Sequence, residues 1–334
     1  MKKFVAVVFL TLGLAACSFQ TSPSQSISES KGSQSPTVEV PVCDVSPLTN
    51  ECYETTNPVL LVKIDDVVEA RPQVGLNISD VIVVEPVEAG LTRLMAVFNS
   101  EFPETVGPIR SARITDIDIA AAFGSPGFAY SGSTSKLVPY LTESNLQLVG
   151  APQGGQGYFR VSDRYAPHNY FATVSELISR ISDTSTAKLT TSKSWRFGDL
   201  LVDGKSPVSI EVVYASARKE FIWNSEIEKW EIWADGSQTF TVNEHDELEP
   251  ATTSTVFIQQ TRLLDSPFVF SSGTVTPYAE TYGEGKGWVL SRGQSFYGTW
   301  QRAELSGLPR WFDKNGNEIG IADGNVWWVV APYD

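Results

Sequence analysis

The sequence predicts an α+β protein, with a mixed α/β domain over residues 47–200 and a mostly antiparallel β domain over residues 201–334. In the first domain, short β-branched segments alternate with segments whose apolar residues recur at helical spacing. In the second, strand-like segments follow one another with glycine-containing turns between or near them. We place the boundary in the Thr/Ser-rich stretch near residues 185–205, where the two patterns meet.

The first domain begins with strands and then adds helices. Four short aliphatic segments predict strands, at residues 58–64, 81–84, 92–99 and 128–131. Three further segments predict helices, at residues 112–123, 135–143 and 173–182. Thr173 and Glu176 have the spacing of a capping box, which predicts the start of the last helix.

The second domain is predicted to be built from strands. Seven segments have strand-like composition, at residues 208–214, 220–224, 229–234, 238–242, 254–260, 287–292 and 294–302. The tripeptides Ala-Asp-Gly at 234–236 and Lys-Asn-Gly at 314–316 are turn signals. Asp313 begins a stretch resembling a calcium loop, but the glutamate at loop position twelve and the flanking helices are missing, so we interpret it as a hairpin turn.

The N-terminus predicts export and lipidation. Lys2 and Lys3 precede an apolar run over residues 4–14, which is much shorter than the roughly 20 residues that span a bilayer. The run ends in Ala15-Ala16-Cys17, a lipobox pattern. We therefore predict a signal peptide over residues 1–16, acylation (palmitate) of Cys17, and a Ser/Gln/Pro-rich flexible tether over residues 17–46. The expected location is the extracellular face of the cell membrane.

The two remaining cysteines, Cys43 and Cys52, form an even pair in an exported chain and predict a disulfide. The alternative is a metal or redox pair, but the spacing is not that of a CxxC motif and neither histidine is near in sequence. We predict no metal site and no cofactor.

The charge of the chain argues against two classes of partner. The formal net charge is −14, and loss of Lys2 and Lys3 with the signal would make it −16. Such a surface repels nucleic acid and anionic headgroups. The expected partners are the membrane, through the lipid anchor, and either cell-wall material or another envelope protein.

Glycine-punctuated turns between buried strands carry arginines and carboxylates. We expect these turns to gather at one edge of the sheet, where ligands bind in open α/β proteins. Arginine forks bind carboxylates or phosphates, so four arginines are candidates for an anionic ligand: Arg71, Arg93, Arg110 and Arg113. Alternatively, they form a structural network with four carboxylates: Asp65, Glu85, Glu88 and Asp116.

A second polar group follows in the same domain. Ser131 comes after a predicted strand, and His168 and Asn169 follow a proline. Together with Ser111 they complete the predicted ligand-binding set. A Ser/His pair with a carboxylate would be a hydrolase arrangement, but no G-x-S-x-G elbow is present. The weak catalytic candidates are Glu85, Glu88 and His168, although a lone histidine after a proline is more often a turn residue.

The order of several motifs resembles the YerB-like lipoproteins, a bacterial family with N- and C-terminal domains of unknown function. The first-domain motifs are Arg71-Pro72-Gln73, Glu85 to Arg93, Val106 to Arg113 and Ala166 to Asn169. The tail motifs are Gly287 to Val289, Gly298 to Arg302, Asp313 to Gly316 and Gly324 to Trp327. The chain departs from the family pattern at Asn50 and follows it loosely over residues 231–258. The resemblance implies a cell-surface lipoprotein and brings no catalytic residues.

Three functions are compatible with these features. The first is an envelope binding protein whose first domain holds an anionic or glycan-like ligand, or a protein partner. The second is an envelope hydrolase or lyase that uses Glu85 or Glu88 with His168. The third is a docking module that uses the aromatic β domain. The sequence leaves open whether any reaction is catalysed.

Overall fold

The computed structural model of the protein describes residues 43–184, 187, 189, 194–199, 204–269 and 273–333. The predicted signal peptide, Cys17 and the tether up to residue 42 lie outside the described residues. So does the predicted domain boundary at residues 200 and 201. Within the described part, no helix has the length and apolar character that crossing a bilayer requires.

The first half of the folded chain contains nine strands and three short α-helices in the described residues. The strands are β1 (Leu60–Asp65), β2 (Gln73–Val74), β3 (Val81–Pro86), β4 (Thr92–Phe98), β5 (Thr105–Val106), β6 (Gly127–Ala129), β7 (Gln147–Leu148), β8 (Tyr158–Arg160) and β9 (Tyr170–Thr173). The helices are α1 (Thr115–Ala120), α2 (Val138–Glu143) and α3 (Val174–Ser179). Single 3-10 turns cover Val68–Ala70, Glu88–Gly90, Ala121–Phe123 and Ala151–Gln153.

The second half contains only strands in the described residues, as the sequence predicts. They are β10 (Ser209–Val213), β11 (Arg218–Asn224), β12 (Lys229–Ala234), β13 (Ser237–Gln238), β14 (Phe240–Val242), β15 (Leu248–Pro250), β16 (Thr252–Thr253), β17 (Thr255–Thr261), β18 (Leu263–Val269), β19 (Val275–Ala279), β20 (Gly283–Ser291), β21 (Gln294–Arg302), β22 (Arg310–Phe312) and β23 (Val326–Pro332). The predicted α+β class is confirmed, with strand strongly predominating.

A ten-stranded sheet forms the centre of the fold, in the order β22-β21-β20-β17-β23-β3-β4-β1-β6-β7. The C-terminal strand β23 lies between β17 and β3 and runs parallel to both. Strands from both halves of the sequence therefore share one sheet, and residues 43–334 form one compact unit. The domain limits at residues 47–200 and 201–334 stay a prediction.

Each face of this sheet carries its own hydrophobic core. Alternate residues of β1, β3 and β4 point to opposite faces, so Leu61 and Val83 lie in one core and Val62 and Val84 in the other. Because both faces are covered, β1 and β4 are buried along their whole length. Any polar side chain on these strands is therefore withdrawn from water.

Smaller sheets surround the central one. A five-stranded sheet contains β10-β11-β12-β13 with β16 beside β12, and three-stranded sheets contain β15-β14-β2 and β5-β9-β8. The hairpin β18–β19 forms a two-stranded sheet. Asp235 and Gly236, at the predicted turn between β12 and β13, both have positive φ angles, as a tight hairpin turn requires.

Two helix predictions need correction. Helix α1 begins at Thr115, not at residue 112, because the amide of Ala112 donates to the carbonyl of Gly132 and keeps the chain extended there. Thr173 is the N-cap residue of α3, but its side chain makes no capping hydrogen bond, so the predicted capping box is wrong. The amide of Val174 donates instead to the carbonyl of Glu104.

Two loops are fixed by local bonds. A disulfide joins Cys43 to Cys52, whose Cα atoms lie 5.6 Å apart. At the other end of the chain, Asp313 accepts hydrogen bonds from the amides of Asn315 and Asn317, each at 2.8 Å. These bonds turn the chain toward Glu318, which pairs with Phe312, so the hairpin-turn interpretation of this segment is confirmed.

Candidate functional site

Three charged residues lie at paired positions on neighbouring strands of the central sheet. In the strand pairings, Arg93 on β4 is opposite Asp65 on β1 and opposite Glu85 on β3. All three side chains are buried or nearly so. Burial of charge in a sheet covered on both faces is costly unless each charge finds a partner. The partners of each residue therefore indicate which charges are structural.

Lys63 is the centre of the most deeply buried ion cluster. Its ammonium contacts Glu85 and lies 2.7 Å from Oδ1 of Asp116, and all three side chains are fully buried. Burial lowers the pKa of Lys63 to about 8, although the charge of Asp116 acts in the opposite direction. Asp116 also accepts the amide of Arg113 at 2.6 Å. This cluster joins β1, β3 and the start of α1.

Arg113 forms a second ion pair at the edge of the sheet. Its guanidinium binds both carboxylate oxygens of Glu88, with Nε 2.5 Å from Oε1 and Nη2 2.7 Å from Oε2. The hydroxyl of Thr276 donates to the same carboxylate at 2.6 Å. Burial alone would raise the pKa of Glu88, but the hydrogen bond and charge of Arg113 lower it. Glu88 is therefore an ionised structural partner.

Asp65 forms a third cluster of polar side chains with His168 and Arg110. Its Oδ2 lies 2.7 Å from Nδ1 of His168 and 3.1 Å from Nε of Arg110. The guanidinium of Arg110 is 23% exposed, whereas Asp65 is buried. The histidine and Arg110 are thus positioned by one buried carboxylate, and Arg110 extends from it toward solvent.

Arg93 differs from its neighbours because it forms no salt bridge in the part of the chain that the structure describes. Its Nη1 donates to the carbonyl of Ser111 at 2.7 Å. Burial, and then the charges of Arg113 and Arg110, lower the pKa of Arg93 to about 9, although the charges of Glu88 and Asp65 act in the opposite direction. Three guanidiniums therefore lie close together, and one of the two buried arginines, Arg93, lacks a carboxylate partner of its own among the described residues. We call Arg93, Arg110 and Arg113 the arginine cluster.

The fourth predicted arginine lies in a different group. Nη2 of Arg71 donates to the carbonyl of Asp66 and to Asp235, both at 2.7 Å, and Nη1 reaches the carbonyl of Ala234. Lys219 binds Asp66 at 2.6 Å in the same group. These bonds connect the end of β1 to the β12–β13 turn, so Arg71 belongs to a structural network, but with carboxylates other than the four that the sequence analysis named.

Of the polar residues predicted beside the arginines, Ser111 and Ser131 lie next to Arg110, whereas Asn169 does not. The amide of Ser131 donates to the carbonyl of Arg110 at 2.9 Å, which places Ser131 on the segment next to Ser111. Both serines are partly exposed. Asn169, in contrast, accepts from Arg160 at 2.6 Å and donates to the carbonyl of Val161, which ties it to the β8–β9 hairpin.

The three weak catalytic candidates have separate partners. Glu85 is fully buried against Lys63, Glu88 is bound to Arg113, and His168 is bound to Asp65. No group of three or more His, Cys, Asp and Glu residues among the described residues has the arrangement of a metal site.

Sequence reasoning missed the role of Lys63. The signal was a single charge in the apolar run at residues 58–64, because a lysine inside a strand buried on both faces requires carboxylate partners. Its two partners come from β3 and α1, so only the folded arrangement identifies them.

Two family models match the chain in sequence order. The N-terminal domain of the protein of unknown function family DUF3048 matches residues 46–187, and the C-terminal domain of the same family matches residues 210–328. The chain belongs to this family. The DUF3048 N-terminal match includes all three members of the arginine cluster, and the resemblance to YerB-like lipoproteins is confirmed.

A curated relative and a solved structure show the same relationship. YerB of Bacillus subtilis (strain 168), provisionally described as a lipoprotein, is 32% identical over 106 residues, which cover 31% of this chain and 32% of YerB. The sequence match thus spans about a third of this relative. The crystal structure of B. subtilis YerB has a TM-score of 0.72 at 20% identity, covering 86% of this chain and 97% of the crystallised one. The structural likeness shows the fold that DUF3048 proteins share.

Proposed function

We propose that this protein is an envelope lipoprotein that binds an anionic, glycan-like ligand at the arginine cluster. The observation that carries the proposal is the state of Arg93. A guanidinium that is 8% exposed, lacks a salt bridge among the described residues and lies beside two other guanidiniums is energetically unfavourable without an anion. A carboxylate or phosphate group would supply the missing counter-charge through bidentate hydrogen bonds.

The neighbouring groups suit such a ligand. Arg110 is partly exposed and can turn one side of its guanidinium to a ligand while Asp65 holds the other. Ser111 and Ser131 lie on adjacent segments beside it and supply hydroxyls that can donate to or accept from a sugar. Cell-wall material is the proposed source, because its polymers carry carboxylates, phosphates and sugar hydroxyls.

The location is part of the same proposal. The lipobox ending in Cys17 and the provisional description of YerB as a lipoprotein support a lipid anchor at the extracellular face of the membrane. Fractionation of cells that produce the wild-type chain or Cys17→Ala tests it. We expect the wild type in the membrane fraction and the variant in the soluble exported fraction. Equal membrane retention of both would contradict the anchor.

Binding is tested with the mature chain, residues 17–334 with Cys17→Ala, in a pull-down against purified cell-wall fragments. Polyglycerol phosphate and inorganic phosphate serve as defined probes in calorimetric titration. We expect binding by the parent chain and loss of about tenfold or more in affinity for Arg93→Met and Arg110→Ala, since a charge-assisted hydrogen bond contributes about 1.5–3 kcal/mol. Arg262→Met is the matched control, because Arg262 is exposed and pairs with Glu280.

The two other functions receive less support. The lowered pKa of Glu88 opposes a role as a general acid near neutral pH. Most of the large aromatic side chains of the second half are buried, among them Trp300, Trp311, Trp327 and Trp328. A docking surface made of these rings is therefore not available.

A further inference from the structure

A concave apolar cavity lies apart from the arginine cluster, between α1, α2 and the hairpin β18–β19. Its volume is about 530 Å³. This is within the range of roughly 300–1,000 Å³ that small-molecule sites occupy. Its walls include Ile114 and Ile117 from the α1 region and Leu264 and Phe268 from β18. Leu264 is 42% exposed, so the wall presents apolar surface to solvent.

Aromatic rings form part of the same cavity. Tyr140 of α2 is 50% exposed and packs edge-to-face against Phe268, with ring centroids 5.5 Å apart. Tyr278 of β19 lies in the lining and donates its hydroxyl to Asp118. Ring faces at the surface of a cavity attract organic cations through their quadrupoles.

The charges of the lining have one sign. Three carboxylates are present, Asp118, Glu143 and Asp265, and the lining residues that the structure describes include no lysine or arginine. Arg302, whose charge acts on Asp118, is 1% exposed and donates to the carbonyl of Asp118 and to the carbonyls of Leu305 and Gly307 in its own loop. It therefore does not occupy the cavity. Apolar walls, aromatic rings and the exposed carboxylates of Glu143 and Asp265 together are complementary to a cation that carries an apolar body.

We propose that this cavity binds a small organic ammonium ion, with the cationic group among the three carboxylates and the apolar part against the rings. The proposal is independent of the anion site, because it shares none of the residues of the arginine cluster. The size and concavity of the cavity favour a small molecule over an extended peptide. The net charge of −14 adds a long-range attraction for such a ligand.

The test titrates the mature chain, residues 17–334 with Cys17→Ala, with benzyltrimethylammonium by calorimetry. Benzyl alcohol and phenylacetate are the neutral and anionic probes of similar size. We expect the ammonium ion to bind at least about tenfold more tightly than either, and its affinity to fall as salt is added. The Tyr140→Leu variant should lose more affinity for the ammonium ion than for benzyl alcohol, because the substitution removes the aromatic ring and keeps apolar volume.

The decisive variant is Glu143→Gln/Asp265→Asn, because both side chains are exposed and their substitution leaves the fold intact. We expect it to weaken ammonium binding by about three- to tenfold, as the loss of two partly screened charges implies. The matched control is Glu226→Gln/Asp246→Asn, two exposed residues in distant turns, which should bind as the parent does.

Three results would overturn the proposal. One is the absence of ammonium binding at about 10 mM, the weak end of measurable affinity. Another is equal weakening by the control variant. The third is tighter binding of an oligolysine peptide than of benzyltrimethylammonium, which would assign the cavity to a basic protein segment.

Discussion

Replacement of Arg93 by methionine should stabilise the protein in the absence of a ligand. Burial, and then the charges of Arg113 and Arg110, lower the pKa of Arg93 from its ordinary value to about 9. At about 1.4 kcal/mol per pKa unit, keeping this guanidinium charged at neutral pH costs roughly 5 kcal/mol of folding free energy. Methionine is of similar length, removes the charge and buries apolar surface in its place.

Part of this gain is offset. The variant loses the hydrogen bond from Arg93 to the carbonyl of Ser111, and a bond from a charged donor contributes about 1.5–3 kcal/mol. The net expectation is an increase of about 2 kcal/mol in the free energy of unfolding. Urea denaturation of the parent and the variant at neutral pH and equal salt measures this difference. Arg262→Met, at an exposed position, should change stability by less than about 0.5 kcal/mol.

The same reasoning gives a pH dependence with a definite sign. The folded chain releases the Arg93 proton more readily than the unfolded chain does, so folded stability rises with pH above about pH 9. The advantage of Arg93→Met should therefore shrink above about pH 9. Inorganic phosphate should raise the stability of the parent and leave the variant unchanged. A variant less stable than the parent by about 1 kcal/mol or more would refute this account and make Arg93 a structural ion.

Three further predictions concern the framework of the site. Lys63→Met should lower the free energy of unfolding by about 3–5 kcal/mol in urea, because it leaves two buried carboxylates without their cation. Gly90→Ala should lower the melting temperature, with a cost above about 1 kcal/mol, because φ is +70° and the new Cβ would lie 2.4 Å from Cβ of Ala215. Burial raises the pKa of Asp80 from 3.8 to about 6, so the folded chain binds the extra proton between these values and stability falls as pH rises. Relative to Asp80→Asn, the parent should lose about 3 kcal/mol over that interval, and parallel pH profiles of the two chains would contradict this.

Local patterns were sufficient for seven of the fourteen strands that the structure describes in the second half. The limits predicted for residues 229–234 and 294–302 agree with those of β12 and β21. In β12, buried and partly exposed residues alternate along the strand, which is the period that a half-buried antiparallel strand requires. This alternation is a property of one segment, so it predicts a strand even when the partner strand is unknown.

Strand β23 could not be predicted in the same way. Its residues 326–332 form an almost continuous apolar run, because both faces are covered in the middle of the sheet. Its neighbours, β3 and β17, are distant in sequence, and the first of them lies in the other predicted domain. Composition and turn signals carry no information about such a pairing.

The candidate site shows the same division. The gathering of Arg93, Arg110 and Arg113 could be expected from glycine-containing turns at the ends of neighbouring strands. The sequence could not show that Arg93 would be the arginine without a salt bridge among the described residues, because the partners depend on the register of β1, β3 and β4. A shift of one residue in that register would move the charged residues to the other face of the sheet.

Residues of the second half hold the framework around the arginine cluster. Thr276 on β19 donates to Glu88, the partner of Arg113, and Lys219 on β11 neutralises Asp66 at the end of β1. Strand β23 fixes the edge of β3 that would otherwise be exposed. Without the second half, Asp66 would lose its closest cation and Glu88 would lose one of its hydrogen bonds. The second half therefore contributes to the framework that holds the buried charges of the first.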